Sequence, residues 1–263
     1  MGEVTGGLHP TATGFDRVAH DYERSRPGYP DAAVALVATR AGIGPGRRVL
    51  DLAAGTGKLT RAWVDRGADV VAVEPVDGMR SVLQRELPGV TALDGTAEAL
   101  PLPDGDVDVA TVGHAFHWFE ADRALAELQR VLRPGGHLAV LFNRRDLETP
   151  VQADIDELLA PHRGDTPSWA THGWSDQLEA SARFDDLELA SFPLVQRLDR
   201  EGLAGRVTSI SFVARLDDRS RDRVMEAVRA IFDRSARPDD DGVARVELAH
   251  VCEVRLLRRT DAR

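Results

Sequence analysis

The segment Arg48-Val-Leu-Asp-Leu-Ala-Ala-Gly-Thr-Gly-Lys-Leu-Thr60 predicts a strand, a tight glycine turn and the start of a helix. Val49–Leu52 is short and mostly apolar, as a buried parallel strand is, and Gly55 and Gly57 follow it. A turn of this kind leaves backbone N–H groups at a helix N-terminus, where they can receive a ligand at the carboxyl end of the sheet. This segment therefore decides the fold class and the position of the binding site.

Short apolar segments alternate with helical ones around this turn. The predicted strands cover Val49–Leu52, Asp69–Glu74, Val90–Leu93, Val107–Val112 and Leu138–Phe142. The predicted helices cover Asp31–Ala41, Leu59–Arg66, Gly78–Glu86 and Asp122–Leu132, and Phe15–Asp21 is expected to form one or two helical turns. The alternation is typical of an α/β protein with a parallel sheet buried on both faces and right-handed crossovers.

The rhythm changes after Asn143. A helix is predicted over Val151–Ala160, a loop over Asp165–Trp174, a strand over Leu187–Leu198, helices over Gly202–Val213 and Asp218–Ser235, and a last strand over Val243–Arg258. A strand, two helices and a returning strand indicate an antiparallel hairpin at the sheet edge with a helical insertion. We expect one domain over residues 1–263, in which 1–46 form an N-terminal lid with helices, 47–143 the ligand-binding core and 144–263 the substrate side.

The composition of the chain narrows the possible partners. Its 263 residues carry a formal net charge of −10, which argues against broad binding to nucleic acid because such binding needs a basic surface. Cys252 is the only cysteine, so an internal disulfide is excluded and a reducing compartment fits. The N-terminus lacks the regions of a signal peptide, and no apolar run approaches the ~18 residues of a membrane span. We therefore expect a cytoplasmic protein without a membrane partner.

The glycine turn differs from two common phosphate-binding patterns. A triphosphate-binding P-loop needs Gly-Lys followed by Ser or Thr, but Leu59 follows Lys58, and Leu52 stands where the first glycine should be. A dinucleotide-binding turn needs a third glycine, and Thr60 occupies that position. The first pattern therefore fails, and the second is only partly met.

A third pattern joins an aspartate and the glycine turn to an acid at the end of the second strand. Asp51, Ala53, Gly55 and Gly57 supply the first part, and Glu74 supplies the acid. One carboxylate can accept hydrogen bonds from two vicinal ribose hydroxyls. Because an acid at this place also suits NAD, Glu74 alone leaves a dinucleotide and another nucleoside ligand open.

Six ordered segments decide between these ligands. They are Arg26-Pro-Gly-Tyr-Pro30, Val49–Gly57, Val73-Glu-Pro75 with Met79, Gly95-Thr-Ala-Glu-Ala-Leu-Pro101, His114-Ala-Phe-His-Trp-Phe119 and Arg130-Val-Leu-Arg-Pro-Gly-Gly136. Together they resemble the class I S-adenosylmethionine-dependent methyltransferases, in particular the small-molecule branch. The resemblance implies a Rossmann-like, mostly parallel seven-stranded sheet with helices on both faces, an antiparallel last strand and a helical insertion near the C-terminus.

The resemblance also implies roles for residues of the core. Asp51 and the backbone of Ala53–Gly57, including Gly55, would hold the methionine part of S-adenosylmethionine. Glu74 would hold the ribose, and Pro75 and Met79 would flank the adenine. For Met79 the alternative is ordinary core packing.

Two further segments complete the implied cofactor site. The adenine amino group would meet Thr96, Ala97 and Glu98, although Thr96 stands where many members have an acid and Glu98 is alternatively a solvated helix-start residue. Tyr22 and Arg26 precede the sheet, and an arginine of this region meets the methionyl carboxylate in related enzymes. A guanidinium suits a carboxylate because the two groups can form two parallel hydrogen bonds.

The histidine-rich segment after the fourth strand supplies the best candidate for a catalytic base. By resemblance, the backbone of His114 would contact the amino group of the cofactor, and His117 would face the substrate as a base or hydrogen-bond donor. The alternative for His117 is a packing role, which we favour for the neighbouring Trp118. No metal site is expected, because no carboxylate or cysteine cluster joins these histidines at ligand spacing.

The reaction implied is in-line displacement of a methyl group from a sulfonium, which yields S-adenosylhomocysteine. A carboxylate acceptor needs no base, whereas a hydroxyl or an amine can need one. No Asn/Asp-Pro-Pro-Tyr motif for methylation of nucleic-acid bases occurs, so a small organic acceptor is expected. A protein of the same fold that binds the cofactor without methylating, as a rearrangement catalyst or regulatory binder, stays open. The sequence does not indicate the oligomeric state.

Overall fold

The computed structural model describes residues 14–167 and 174–260. Its strands are β1 (Arg48–Leu52), β2 (Asp69–Val73), β3 (Thr91–Leu93), β4 (Val107–Gly113), β5 (Leu132–Arg145), β6 (Phe184–Leu198), β7 (Arg237–Pro238) and β8 (Ala244–Arg259). Seven of them form a sheet in the order β3-β2-β1-β4-β5-β8-β6, and the two-residue β7 pairs with β8. The first five strands are parallel to one another, and β8 runs antiparallel between β5 and β6.

The helices follow the sequence pattern closely. They are α1 (Gly14–Ser25), α2 (Asp31–Ala41), α3 (Lys58–Val64), α4 (Asp77–Glu86), α5 (Ala121–Val131), α6 (Pro150–Leu159), α7 (Trp174–Ala180), α8 (Arg200–Thr208), α9 (Ser211–Ala214) and α10 (Asp218–Ser235). One-turn 3-10 helices cover Phe116–Trp118 and Ala160–His162. The predicted fold class is confirmed, including the antiparallel last strand and the helical insertion α8–α10 between β6 and β8.

The sheet is buried on both faces because its side chains alternate between two cores. Leu50 and Leu52 of β1 point into a core shared with α5, whereas Val49 points into a core shared with α2 and α3. Cys252 of β8 is fully buried in this second core, so it acts as a small apolar side chain. Helices on both faces leave the carboxyl ends of the parallel strands as the open edge of the domain.

A third core holds the C-terminal insertion together. Apolar side chains of α6, α8 and α10 pack with Leu198 at the end of β6 and Leu248 of β8. This packing fixes α8 beside α1, so residues from the two ends of the chain meet above the sheet edge.

The structure corrects several predicted element boundaries. β5 begins at Leu132, six residues before the predicted start, because Leu132 pairs with Val107 ahead of an irregularity in register. The predicted helix over Gly202–Val213 is two helices, α8 and α9, separated near Ser209. The hydroxyl of Ser209 donates to the carbonyl of Arg206, which satisfies the end of α8.

The second half of the chain holds the other differences. Helix α7 was not predicted, although its Leu178 is buried in the first core. Residues 1–13 of the predicted lid and most of the predicted loop Asp165–Trp174 lie outside the described residues. None of the described helices combines the length and apolar character of a membrane span.

Candidate active site

A cavity of about 770 Å³ lies at the carboxyl ends of β1, β2 and β4. It occupies the crevice where the strand order reverses around β1, the usual ligand position in such sheets. The structure brings most predicted site residues to its wall: Tyr22, Arg26, Ala53, Gly55, Glu74, Pro75, Met79, Thr96, Ala97, Glu98, His114 and His117. Asp51 lines only a smaller adjoining pocket, and Gly57 lines neither.

Glu74 links the two halves of the predicted motif. One carboxylate oxygen accepts a hydrogen bond from the Gly55 backbone N–H at 2.8 Å, and the other accepts from Val76 N–H at 2.9 Å. The side chain is buried, and this burial raises the pKa of Glu74 to about 7. The carboxylate is thus held beside the cavity, with lone pairs left for further donors.

The two glycines of the turn have different surroundings. Gly55 has a φ of +58°, and a Cβ placed there would meet no atom of the described residues within 4 Å. Gly57 has a φ of +89°, and its Cβ would lie 3.0 Å from Leu83 and 3.1 Å from Leu87 on α4. Gly55 therefore leaves space in the cavity that a side chain would fill, whereas Gly57 permits close packing of the turn on α4.

Asp51 has an interior network of its own. Its carboxylate oxygens accept hydrogen bonds from the Thr60 hydroxyl at 2.6 Å and the Thr111 hydroxyl at 3.0 Å. The side chain is fully buried, and burial raises the pKa of Asp51 to about 6. These bonds join β1 to α3 and β4, so Asp51 fixes the glycine turn from below. Its predicted contact with the methionine part of the cofactor stays a prediction.

Backbone strain is concentrated at the same edge of the sheet. Among the residues that the structure describes, Ala53 and His114 are the two non-glycine residues with positive φ, at 52° and 57°. They directly follow β1 and β4, and both line the cavity. Non-glycine residues in this region cost about 1–3 kcal/mol and cluster at functional sites.

The adenine end predicted from the sequence combines packing and exposure to the cavity. Met79 is buried with Val76 and Val82 in a small core, and it also contributes to the cavity wall. The Glu98 carboxylate accepts a hydrogen bond from the backbone N–H of Glu120 at 2.9 Å. Glu98 therefore anchors the start of α5 in addition to its place at the cavity.

Helix α1 covers one side of the cavity. Its Tyr22 ring lies under the Arg26 guanidinium, 5.0 Å from the ring centroid to the central carbon. The same guanidinium donates to the hydroxyl and the carbonyl of Ser209, at 2.9 and 3.1 Å. Lys58 donates to the carbonyl of Glu23 at 2.6 Å and so ties α1 to the glycine turn.

The segment after β4 places two imidazoles at the cavity. His117 is buried, and its ring centroid lies 4.9 Å from that of Trp118 and 5.3 Å from that of Phe142. Burial lowers the pKa of His114 well below its ordinary value, so this imidazole is neutral at physiological pH. Trp118 packs edge-on against Phe15 of α1 at 6.1 Å, in agreement with the packing role predicted for it.

Sequence reasoning missed a set of arginines on the opposite wall. Arg145 ends β5, Arg163 follows α6, and Arg206 lies on α8, and all three line the cavity. Arg145 had a usable signal, because it directly follows an apolar strand whose carboxyl end meets the ligand edge. Arg206 gave none, since a lone arginine on a short helix reads as a surface charge.

Residues able to bind a metal are not grouped in the described parts of the chain. No set of three or more His, Cys, Asp or Glu side chains is close enough there to hold an ion. The cavity instead combines carboxylates near β1 and β2 with guanidinium groups near β5 and α8.

Comparison with known proteins gives consistent matches. A family model described as a methyltransferase domain matches residues 50–140. An uncharacterised methyltransferase-like protein of Schizosaccharomyces pombe is 32% identical over 205 residues, which cover 78% of this chain and 80% of that protein. A demethylmenaquinone methyltransferase of Renibacterium salmoninarum is 42% identical over 106 residues, 40% of this chain and 45% of the enzyme.

Another relative has higher sequence identity over part of the chain, and a solved structure matches most of the fold. An uncharacterised methyltransferase of Mycobacterium bovis is 52% identical over 145 residues, 55% of this chain, and the match spans only 58% of that relative. A solved structure of a proposed type II methyltransferase from Anaeromyxobacter dehalogenans has a TM-score of 0.63 at 27% identity, covering 89% of this chain and 97% of that one.

Proposed function

Because the chain belongs to the class I S-adenosylmethionine-dependent methyltransferase family, we propose that it transfers a methyl group from S-adenosylmethionine to a small organic acceptor. One observation carries the proposal. The Glu74 carboxylate is held by the backbone N–H groups of Gly55 and Val76 at the floor of a cavity of about 770 Å³. A cavity of this volume falls within the range of about 300–1,000 Å³ that is usual for small-molecule sites.

The residues present fit the cofactor along its length. Glu74 can accept hydrogen bonds from two vicinal ribose hydroxyls, and Gly55 leaves room for the ligand to approach the backbone. Pro75 and Met79 offer apolar surface for the adenine ring. Arg26 offers a cation for the methionyl carboxylate. The strained backbone of His114 lies at the same cavity, and the family resemblance assigns the amino group to it.

The chemistry asks little of the protein beyond alignment and exclusion of water. S-Adenosylmethionine, when bound, supplies a methyl group already activated by the sulfonium. We assign the exclusion of water to the wall formed by α1, which includes Tyr22, and by Trp118, which packs against Phe15 of α1. His117 is the group we assign to receive a proton when the acceptor is a hydroxyl or an amine.

The proposed acceptor class rests on charge and on one relative. The net charge of −10 disfavours a nucleic-acid substrate. The demethylmenaquinone methyltransferase among the relatives is named for a small organic substrate. A single buried cysteine suits a reducing compartment such as the cytoplasm, where we place the reaction.

The test compares ligands by thermal unfolding and then looks for a product. S-Adenosylhomocysteine at 100 times its Kd should stabilise the folded protein by about 2.7 kcal/mol, and NADH should not. Stabilisation by NADH alone would overturn the cofactor assignment. Incubation with methyl-labelled S-adenosylmethionine and a metabolite extract should then transfer label to a small organic product. Tight cofactor binding without labelled product would favour the alternative that the protein binds the cofactor without methylating.

A further inference from the structure

The wall of the cavity at the end of β5 and along α8 carries a group of positive charges to which the proposed function assigns no cofactor contact. One of them, Arg206, also lines the smaller adjoining pocket with Arg26 and Gly55. The arginine group consists of Arg145 at the end of β5, Arg163 after α6 and Arg206 on α8. These positions are far apart in sequence, and the fold brings them to one wall.

The arginine group has too few carboxylates. Asp156 of α6 lies 3.1 Å from Arg145 and 2.7 Å from Arg163, so one negative charge serves two guanidinium groups. Among the described residues, no carboxylate lies within ion-pair distance of Arg206, and its buried Nε has no hydrogen-bond partner. The Arg145 guanidinium supplies a second such buried nitrogen, for which the described parts of the chain offer no hydrogen-bond partner.

The neighbouring groups do not offset this charge. Burial, Arg26 and Arg145 together hold the pKa of Arg206 well below its ordinary value. Burial lowers the pKa of His250 to about 4, so that this imidazole stays neutral beside the arginines. Arg26 is bonded to Ser209, which is uncharged. The arginine group therefore contains three guanidinium groups and one ion-paired carboxylate, Asp156. Asp146 and Glu148 also line the cavity, but neither forms an ion pair with these arginines among the described residues.

A buried charge without a partner is costly, and natural proteins rarely keep one without a ligand for it. S-Adenosylmethionine has a single carboxylate, which the proposed function assigns to Arg26, and its sulfonium and ammonium groups add positive charge. The cofactor therefore leaves Arg145 and Arg206 without an anion of their own. A second ligand with an anionic oxygen group would satisfy the free guanidinium donors by charge-assisted hydrogen bonds.

We propose that the methyl acceptor carries an oxyanion, a carboxylate or a phosphate, and that Arg145 and Arg206 bind it. This inference rests on the proposed function, since it concerns the second ligand of the same cavity. It narrows the acceptor from any small organic molecule to an anionic one, and it makes the arginine group the determinant of substrate binding.

The test uses the full chain saturated with S-adenosylhomocysteine, whose binding is measured first by calorimetry. Inorganic phosphate, succinate and benzoate are then titrated, with succinamide and benzamide as uncharged controls. At least one anion should bind, and its amide should not. Arg145→Gln and Arg206→Met should each weaken that anion at least about tenfold. Arg197→Gln, which removes an exposed charge on β6, should not.

The outcomes separate the inference from the proposed function. If the wild type does not bind S-adenosylhomocysteine, the proposed function is refuted. The anions are then titrated into the ligand-free protein, which tests the inference about the arginines separately. Equal binding of anions to wild type and both arginine variants, or no binding of any anion, overturns the inference. Binding of phosphate alone or of carboxylates alone supports it and identifies the group.

A second readout excludes a merely structural role for Arg206. If Arg206 serves to bind the acceptor, Arg206→Met removes a buried charge that has no partner in the ligand-free protein. The melting temperature of the ligand-free variant should then equal or exceed that of the wild type. A fall in melting temperature with unchanged anion binding would mean that Arg206 supports the fold, which contradicts the inference.

Discussion

The two walls of the cavity differ in how their polar groups are satisfied. On the β1–β2 wall, both oxygens of Glu74 accept hydrogen bonds from backbone N–H groups. In the adjoining smaller pocket, both oxygens of Asp51 accept hydrogen bonds from threonine hydroxyls. On the β5–α8 wall, buried nitrogens of Arg145 and Arg206 have no hydrogen-bond partner in the described residues. The polar side chains of the first wall have their hydrogen-bond partners without a ligand, whereas we infer that those of the second wall obtain theirs from a ligand. Substitutions on the two walls should therefore have different consequences.

The largest effect is expected from Glu74→Ala on the β1–β2 wall. The variant removes two charge-assisted hydrogen bonds to the ribose, which are worth about 1.5–3 kcal/mol each, so the Kd for S-adenosylhomocysteine should rise roughly 100-fold or more. Calorimetry measures the Kd. Glu148→Ala, at an exposed position of the cavity rim, serves as the control and should bind normally. Unchanged affinity in Glu74→Ala would refute the ribose assignment.

The same contrast explains what could be predicted from the sequence. The β1–β2 wall is built from a strand, a turn and an acid that lie within 27 residues, from Arg48 to Glu74, and their order reveals their common position. The β5–α8 wall joins Arg145 to Arg206 across β6 and helices of the insertion, and no local pattern records that contact. Its geometry also depends on the break at Ser209, which is stabilised by Arg26 from the other end of the chain.

Other misses have the same physical origin. Helix α7 is seven residues long and is held by burial of Leu178, so packing rather than a periodic pattern defines it. The early start of β5 comes from pairing of Leu132 with Val107 across a bulge in a stretch with proline and two glycines. Such a stretch predicts a turn when it is considered alone. Elements that depend on contacts between distant residues therefore could not be predicted from the sequence. Elements that depend on the spacing of nearby residues could be predicted.

The next effect is expected from Arg145→Gln and Arg206→Met, each of which should lower the affinity for the anion about tenfold. They sharpen the contrast because they should act on the second ligand alone. Arg145→Gln should leave the Kd for S-adenosylhomocysteine near that of the wild type, whereas Glu74→Ala should raise it. A rise of similar size in both variants would mean that the two walls hold one ligand together.

The two glycines test the contrast within one turn. Gly55→Ala places a methyl group in open cavity space and should weaken S-adenosylhomocysteine about tenfold, with about 1–2 kcal/mol of backbone strain. Gly57→Ala forces a methyl group against Leu83 and Leu87 and should cost more, about 2–4 kcal/mol in unfolding free energy, while the folded fraction binds normally. Denaturant unfolding and calorimetry measure the two quantities. If Gly55→Ala mainly lowers the unfolding free energy and Gly57→Ala mainly weakens ligand binding, the roles we give these glycines are wrong.

The last expected effect is a pH dependence with opposite signs for stability and binding. The pKa of Glu74 is about 7 in the folded protein and 4.5 ordinarily, so the folded state binds the proton more tightly. The contribution of Glu74 to the unfolding free energy is therefore fully present below about pH 4.5, declines as pH rises from about 4.5 to about 7, and is constant above that range. Binding should go the other way, because ribose hydroxyls donate best to the ionised carboxylate.

Between pH 6 and pH 8 the ionised fraction of a group with a pKa of about 7 grows about tenfold, and affinity for S-adenosylhomocysteine should grow by the same factor. Glu74→Gln cannot ionise, so its affinity should lack this increase and report only the titration of other groups, including the ligand amine. Calorimetry at several pH values on both proteins gives the difference. If wild type and Glu74→Gln follow the same pH profile, Glu74 does not bind the ligand as a carboxylate, and the β1–β2 wall loses its central contact.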